Sequence, residues 1–399
     1  MAIDIGSCSC LVSGWKGVKL VVFMHSPEAR RRPRVTVLMA VYNGERYLRE
    51  SIDSVLRQTF SDFEFIIVND GSTDSSRDIV LSYNDRRIRL TDNLENIGLT
   101  QSLNRGLLLA RGEYVARHDA DDISHPSRFE KQAKYLDAHP EIVILGSQAR
   151  HIDERGRVLS SRLWARPVTE IGIRWVCMFD SPFIHSSVIM RCHILKDNYG
   201  GYNPAYDKNQ DHELWTRIVY DHPCRNLVER LIDFRVHSKS LSATYTIHNI
   251  EKFAATVRKG ACAGLGQEPP EEWADLWVRI NNPNLKSENL DIKKIVRIID
   301  SMHQRFVTYN QLDMKDEEIL YHKRCMLVRI AYNALSFNKV ASLSVFLRVC
   351  REDLRLSAEI LPKYIVTFLF GKRAARLYRR IKSFWYDRYR GAELARNPE

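Results

Sequence analysis

Three carboxylates stand within four residues at Asp119-Ala120-Asp121-Asp122. In an extended backbone, side chains two apart point to the same side, so Asp119 and Asp121 would share a face. Two carboxylates held that way repel unless a cation lies between them, and hard oxygen ligands suit Mg2+ or Mn2+. Mg2+ characteristically takes one or two protein carboxylates and completes its shell with substrate phosphates. The same residues would also suit a solvated acidic turn ahead of a helix, with Asp122 as a first-turn carboxylate. A further candidate is Asp70, in Val68-Asn69-Asp70-Gly71-Ser72. Its carboxylate could accept a hydrogen bond from the ring N–H of a pyrimidine, or only bond its own backbone in a tight turn. No G-x-x-x-x-G-K-[ST] or G-x-G-x-x-G follows either early strand, so neither a P-loop nor a dinucleotide fold is supported.

These residues need a frame to bring them together. Residues 35–41 form a nearly continuous apolar run rich in β-branched side chains, the signature of a strand buried on both faces. Tyr47, Leu48, Ile52, Val55 and Leu56 then recur at helical spacing. A second buried strand is expected over 63–68, a helix from Thr73-Asp74 to about Tyr83, a strand over 87–90, and a helix over 99–110. A strand over 114–117 leads into the acidic cluster, and a helix over 126–138 follows. Such alternation predicts an α/β fold with a parallel sheet and helices on both faces. Ligands bind these sheets at the carboxyl ends of the strands. Tyr42-Asn43-Gly44, Asn69-Asp70-Gly71 and residues 119–122 all fall there, so three segments converge on one crevice. Further strands are expected over 142–145, 187–190 and 225–236, with a helix over 211–220. Beyond about residue 245 the pattern is helical, broken at 264–270 and 281–284.

Residues 35–153 resemble the donor-binding half of the inverting family 2 glycosyltransferases with the GT-A fold, a Rossmann-like, mostly parallel sheet. The matching words include Val37-Leu38-Met39-Ala40-Val41-Tyr42-Asn43-Gly44-Glu45, Val68-Asn69-Asp70-Gly71-Ser72-Thr73-Asp74, Asn96-Ile97-Gly98-Leu99-Thr100 and Arg117-His118-Asp119-Ala120-Asp121-Asp122. The resemblance implies that Val41, Tyr42 and Asn43 line the base pocket and that Asp70 holds uracil or a similar base. It implies that Asp119 faces the ribose and the metal, and that Asp121 ligates the metal bridging the diphosphate. In Gln210-Asp211-His212-Glu213-Leu214-Trp215, Asp211 occupies the position of the family's catalytic base, with Gln210 in place of the usual Glu. His237 resembles a His that can reach the metal or diphosphate, and His185 lies in a stretch resembling the acceptor-side wall. The activity implied is inverting transfer of a hexosyl or N-acetylhexosaminyl group from a nucleotide-sugar, most simply a UDP-sugar, to an acceptor hydroxyl. A saccharide or lipid-linked acceptor in cell-surface polysaccharide, lipopolysaccharide or glycolipid synthesis would suit it. Two alternatives are a nucleotidyltransferase, for which Tyr42-Asn43-Gly44-Glu45-Arg46 is a poor phosphate loop, and an inert binding homologue.

The rest of the chain sets the surroundings. Of 399 residues, 44% are apolar and 27% charged, which excludes a disordered chain and is ample for a large core. The expected division is a loose leader over 1–33, a GT-A domain over 34–245, and a helical region with a basic aromatic tail over 246–399. No clean signal peptide and no apolar run of membrane-spanning length stand in the sequence. Eight scattered cysteines without paired spacing suit reduced thiols. Residues 251–399 carry 27 Lys and Arg against 18 Asp and Glu, while 1–250 are nearly balanced. Basic residues interleaved with aromatics over 363–390 suit an anionic lipid surface, and no nucleic-acid motif accompanies them. The expected location is therefore cytoplasmic, peripheral on the cytoplasmic face of a membrane.

Overall fold

The computed structural model describes residues 32–159, 165–237, 247–281, 290–335 and 338–353, with a few positions between 356 and 369. The leader and most of the basic aromatic tail lie outside the described residues. Contacts divide the chain into Met1–Arg32 and one compact unit, Pro33–Glu399.

Strands β1 (Val35–Val41) and β2 (Phe63–Asn69) are buried along their whole length, as their unbroken apolar runs require. β1 sends Val35, Val37, Met39 and Val41 into one core and Leu38 and Ala40 into another, the period of two that separates the faces of a sheet. Helix α1 (Glu45–Leu56) covers the first face with Leu48, Ile52 and Val55. Next come α2 (Ser76–Leu81), β3 (Ile88–Asp92) and α3 (Leu99–Leu109), whose Leu103 and Leu107 cover the second face. At Gly106 this helix approaches so closely that a Cβ would stand 2.3 Å from Leu38 Cδ1. The chain continues through β4 (Tyr114–Arg117), β5 (Ile123–Ser124), α4 (Arg128–Ala138), β6 (Ile144–Ile152), α5 (Glu170–Cys177), β7 (Ile189–Arg191), α6 (Gln210–Ile218) and β8 (Cys224–Arg235).

Among the described residues the sheet has eight strands, in the order β3-β2-β1-β4-β7-β6-β8-β5. β1 to β4 are parallel, but β7 runs antiparallel to both β4 and β6, and β5 antiparallel to β8. The sheet is thus mixed: β1 to β4 form the parallel part that the alternation predicts, and the antiparallel pairings all lie beyond β4. Its strand order reverses direction at β1, between β2 and β4, the place where sheets of this kind bind ligands at their carboxyl ends.

Four local expectations need correction. The second helix begins at Ser76, not Thr73, because Asp74 bonds the backbone N–H of Ser76 and Glu45 instead of continuing a helical turn. β6 extends to Ile152 because β8 pairs with it across two register shifts. A 3-10 turn, His185–Ser187, takes the start of the strand expected over 187–190. Asp122 is no helix cap: α4 starts at Arg128, and Asp122 Oδ1 instead accepts from Arg235 N at 2.8 Å.

Five helices follow among the described residues: α7 (Ile247–Leu265), α8 (Trp273–Asn281), α9 (Ile292–Tyr309), α10 (Glu317–Ala334) and α11 (Lys339–Glu352). The break between α7 and α8 falls where Gly and Pro cluster, while the one expected over 281–284 lies almost wholly outside the described residues. Their core shares α5 with the sheet region, because Trp175, Val176, Met178 and Phe179 pack with Trp273, Trp277, Ile299 and Phe306. On its other side α5 presents Ile173 and Cys177 to the sheet. Its N-terminus is closed by Thr169 Oγ1, which accepts from Gly172 N, and by Glu318 of α10, which accepts from Val168 N at 2.6 Å. Thr169 Oγ1 thus satisfies one of the N–H donors that a helix start leaves open, and Glu318 fixes the residue just ahead of the N-cap. Among the described residues, no helix is long and apolar enough to cross a membrane.

Candidate active site

The loops after β1 and β2 are latched together. Asn43 adopts a left-handed backbone with φ 49°, and its side-chain oxygen accepts from Thr73 N at 2.8 Å. Ser76 Oγ accepts from Gly44 N at 2.9 Å, and Asp74 accepts from Glu45 N at 3.0 Å. Tyr42 stands half exposed at this edge, whereas the Val41 side chain is buried in the core beside α1. Only the backbone of Val41 can therefore face a ligand.

Asp70 sits beneath this latch. Its N–H donates to Val41 O at 2.8 Å, and its carboxylate accepts from Asn93 Nδ2 at 2.7 Å, Ile97 N at 2.9 Å and Gly98 N at 3.0 Å. A carboxylate has about four acceptor positions, so one remains for a ligand N–H. Asn93 also takes a bond from Arg105, which ties α3 to the same network.

The acidic cluster leaves β4. Asp119 pairs with the fully buried Arg117, and its carbonyl accepts from Ser51 Oγ at 2.8 Å. Asp121 Oδ2 lies 2.7 Å from His237 Nε2, so the expected neighbours do meet. Burial first, and then the charge of Asp119, push the Asp121 carboxyl above its usual range. Arg235 carries no motif that marks it as a site residue, yet it organises this corner. Its Nε donates to Asp121 O at 2.8 Å, its Nη2 to Glu50 at 2.6 Å, and its guanidinium lies 4.6 Å from the Tyr47 ring. His237 stands two residues further along, with its ring 5.2 Å from the same tyrosine.

Among the described residues, no group of three His, Cys, Asp or Glu side chains is placed to hold a metal ion by itself. What is present is two part-exposed carboxylates that repel each other, with an imidazole beside one of them. That donor set fits a hard cation whose shell is completed by a bound diphosphate.

Asp211 stands in the first turn of α6. Leu214, Trp215 and Ile218 are buried and fix the helix against the sheet. The Asp211 carboxylate accepts from Ser181 Oγ at 3.3 Å. Burial raises its affinity for a proton above the usual carboxylate range, although His212 and Arg166 pull the other way. Gln210, where the family resemblance led one to expect Glu, is buried and brings no charge to this neighbourhood. Tyr202 is another residue that sequence reasoning misses. It is 2% exposed and is held by Asn104 through Nδ2 to Tyr202 O at 2.7 Å, and burial pushes its hydroxyl above the usual range. His185 Nε2 is 2.8 Å from its hydroxyl, and burial together with Arg117 keeps that imidazole neutral. Its sequence surroundings, Gly200-Gly201-Tyr202-Asn203-Pro204, read only as a turn.

Residues 36–198 match the family model for glycosyl transferase family 2. An uncharacterized glycosyltransferase of Haemophilus influenzae is 32% identical over 235 residues, covering 57% of this chain and 72% of that protein. The putative glycosyltransferase EpsE of Bacillus subtilis is 36% identical, covering 54% of this chain and 79% of its own. The chain belongs to glycosyl transferase family 2. It is a glycosyltransferase, and its relatives in the family include the amylovoran biosynthesis glycosyltransferase AmsE of Erwinia amylovora, 33% identical over 51% of this chain and 76% of that one. In fold it is similar to Staphylococcus aureus TarS 1-349, solved in complex with UDP-GlcNAc. The TM-score is 0.52 at 20% identity, over 73% of this chain and 90% of that one. A mixed sheet covered by helices and followed by a helical region is the GT-A-like architecture that the sequence resemblance implied.

Proposed function

We propose that this glycosyltransferase transfers a hexosyl or N-acetylhexosaminyl group from a UDP-sugar to an acceptor hydroxyl, with inversion, in cell-surface polysaccharide or glycolipid synthesis. One observation carries the reading: the segment that reaches Asp211 through Ser181 Oγ at 3.3 Å also bonds β4, where Val188 O accepts from the N–H of Arg117, the partner of Asp119, at 3.0 Å, so the donor-side acids and a proton-accepting carboxylate are tied to one short stretch of chain. The UDP-GlcNAc bound by the similarly folded TarS and the amylovoran biosynthesis named for AmsE support the donor and the pathway class.

Asp70 offers its remaining acceptor position to the ring N–H of uracil, with the Tyr42–Asn43 edge beside it. Asp119 and Asp121, together with the donor's own phosphates, would hold Mg2+ or Mn2+, which when bound neutralises the diphosphate as a leaving group, while His237 bonds Asp121. Asp211 takes the proton of the acceptor hydroxyl as that oxygen bonds to the anomeric carbon, and the bond from that carbon to the diphosphate oxygen breaks. UDP departs with the bonding electron pair. A single displacement through an oxocarbenium-like transition state inverts the centre. His185, neutral beside Tyr202, would border the acceptor.

A panel of nucleotide-sugars, scored by nucleoside diphosphate release with and without Mn2+, tests the donor class. The expected result is turnover of a UDP-sugar that ceases with a chelator. Turnover confined to GDP- or dTDP-sugars would overturn the uracil assignment.

A further inference from the structure

The residues between α5 and the base are held from the C-terminal helices. Trp277 Nε1 of α8 donates to Phe179 O at 2.7 Å. Arg329 Nη1 of α10 donates to Asp180 Oδ2 at 2.8 Å, and the guanidinium lies 6.0 Å from the Trp277 ring. The other oxygen of Asp180 accepts from Ser181 N at 2.9 Å, and Ser181 Oγ reaches Asp211 Oδ2. From the sheet side, Arg166 Nη1 donates to Ser181 O at 2.7 Å. Two guanidiniums, one from each region, therefore grip a two-residue segment whose hydroxyl touches the base.

We infer that Arg329 is a positioning residue for Asp211: through Asp180 and Ser181 it sets the seryl hydroxyl on the base and cancels the neighbouring negative charge. The helical C-terminal region thereby completes the catalytic site. This rests on the reading of Asp211 as the base. The Arg329–Asp180 pair is part-exposed, at 32% and 40% of its side chains, and a pair so placed contributes little to stability. Stability alone gives weak reason for it.

The groups facing Asp211 are His212, Arg166, Asp180, Tyr202 and Cys177. Burial keeps Tyr202 and Cys177 protonated and disfavours the charged form of His212. Asp180 is the remaining anion. Burial opposes its charge, but Arg329 and then Arg166 outweigh burial and hold its carboxyl below the usual range. Without Arg329, that charge presses more strongly on Asp211, whose proton then leaves only at higher pH.

The test is the pH profile of kcat/KM for sugar transfer in the full chain. Arg329→Gln is expected to move the acid limb upward by about half a pH unit or more. Transfer near the acid end then falls several-fold while the alkaline plateau changes little. Arg329→Lys, which keeps the charge, should move the limb less, and adding Asp180→Asn to Arg329→Gln should bring it back. A merely structural role would lower the whole profile or the melting temperature without moving the limb. If Arg329→Gln folds poorly, Asp180→Asn alone should move the limb downward. An unmoved limb in the folded variants, with Asp211→Asn inactive, overturns the inference and leaves the base assignment standing. Full transfer by Asp211→Asn overturns both.

Discussion

Asp211→Asn is expected to lower sugar transfer by about two to four orders of magnitude, the range typical for losing a general base. The amide is nearly isosteric with the carboxylate, and its oxygen can still accept the Ser181 hydroxyl. Leu214, Trp215 and Ile218 hold α6 in place whatever stands at its first turn. What is lost is the capacity to take a proton from an attacking hydroxyl. In the mechanism proposed above the donor binds around Asp70 and the acidic cluster and not through Asp211, so its affinity should stay within about twofold. Single-turnover transfer and calorimetric titration with UDP separate the two quantities. Transfer at the wild-type rate would remove Asp211 from the mechanism.

Asp121→Ala should produce the second largest loss, in donor binding as well as in turnover. The native state disfavours the charge of this carboxyl, since burial and Asp119 both raise its affinity for a proton. A protein that keeps a carboxylate against such repulsion gains nothing in stability by doing so, and its removal should leave the melting temperature level or slightly higher. Donor affinity is expected to fall by about two orders of magnitude, because a cation completed by the diphosphate loses one of its two acids. Excess Mg2+ or Mn2+ should not restore it. Unchanged UDP-sugar affinity at unchanged melting temperature would exclude Asp121 from the donor site.

Much of this was legible in the sequence because the information is local. Two buried strands announce themselves as apolar runs, and the spacing of Asp119 and Asp121 puts both at the mouth of β4 whichever helix follows. Other features depend on partners far along the chain. Hydropathy reports that β7 is buried but not which way it runs, so the mixed sheet could not be read from alternation. α5 is a short stretch of Ile, Trp, Val and Gly that only Thr169 and the distant Glu318 cap into a helix. Asp122 looks like a helix cap until β8 supplies Arg235 N. Tyr202, Asp180 and Arg329 carry no motif at all; each acquires meaning from a neighbour on another element.

In the mechanism proposed for this enzyme, an acceptor oxygen displaces the donor's diphosphate directly, with Asp211 taking its proton. The decisive readout is the anomeric proton of the product, followed by NMR from the start of the reaction with the UDP-sugar selected by the donor panel. An α-linked donor should give only a β-linked product, and Asp211→Asn should give neither anomer. A product that retains the donor's α configuration would contradict single displacement and, with it, the role assigned to Asp211.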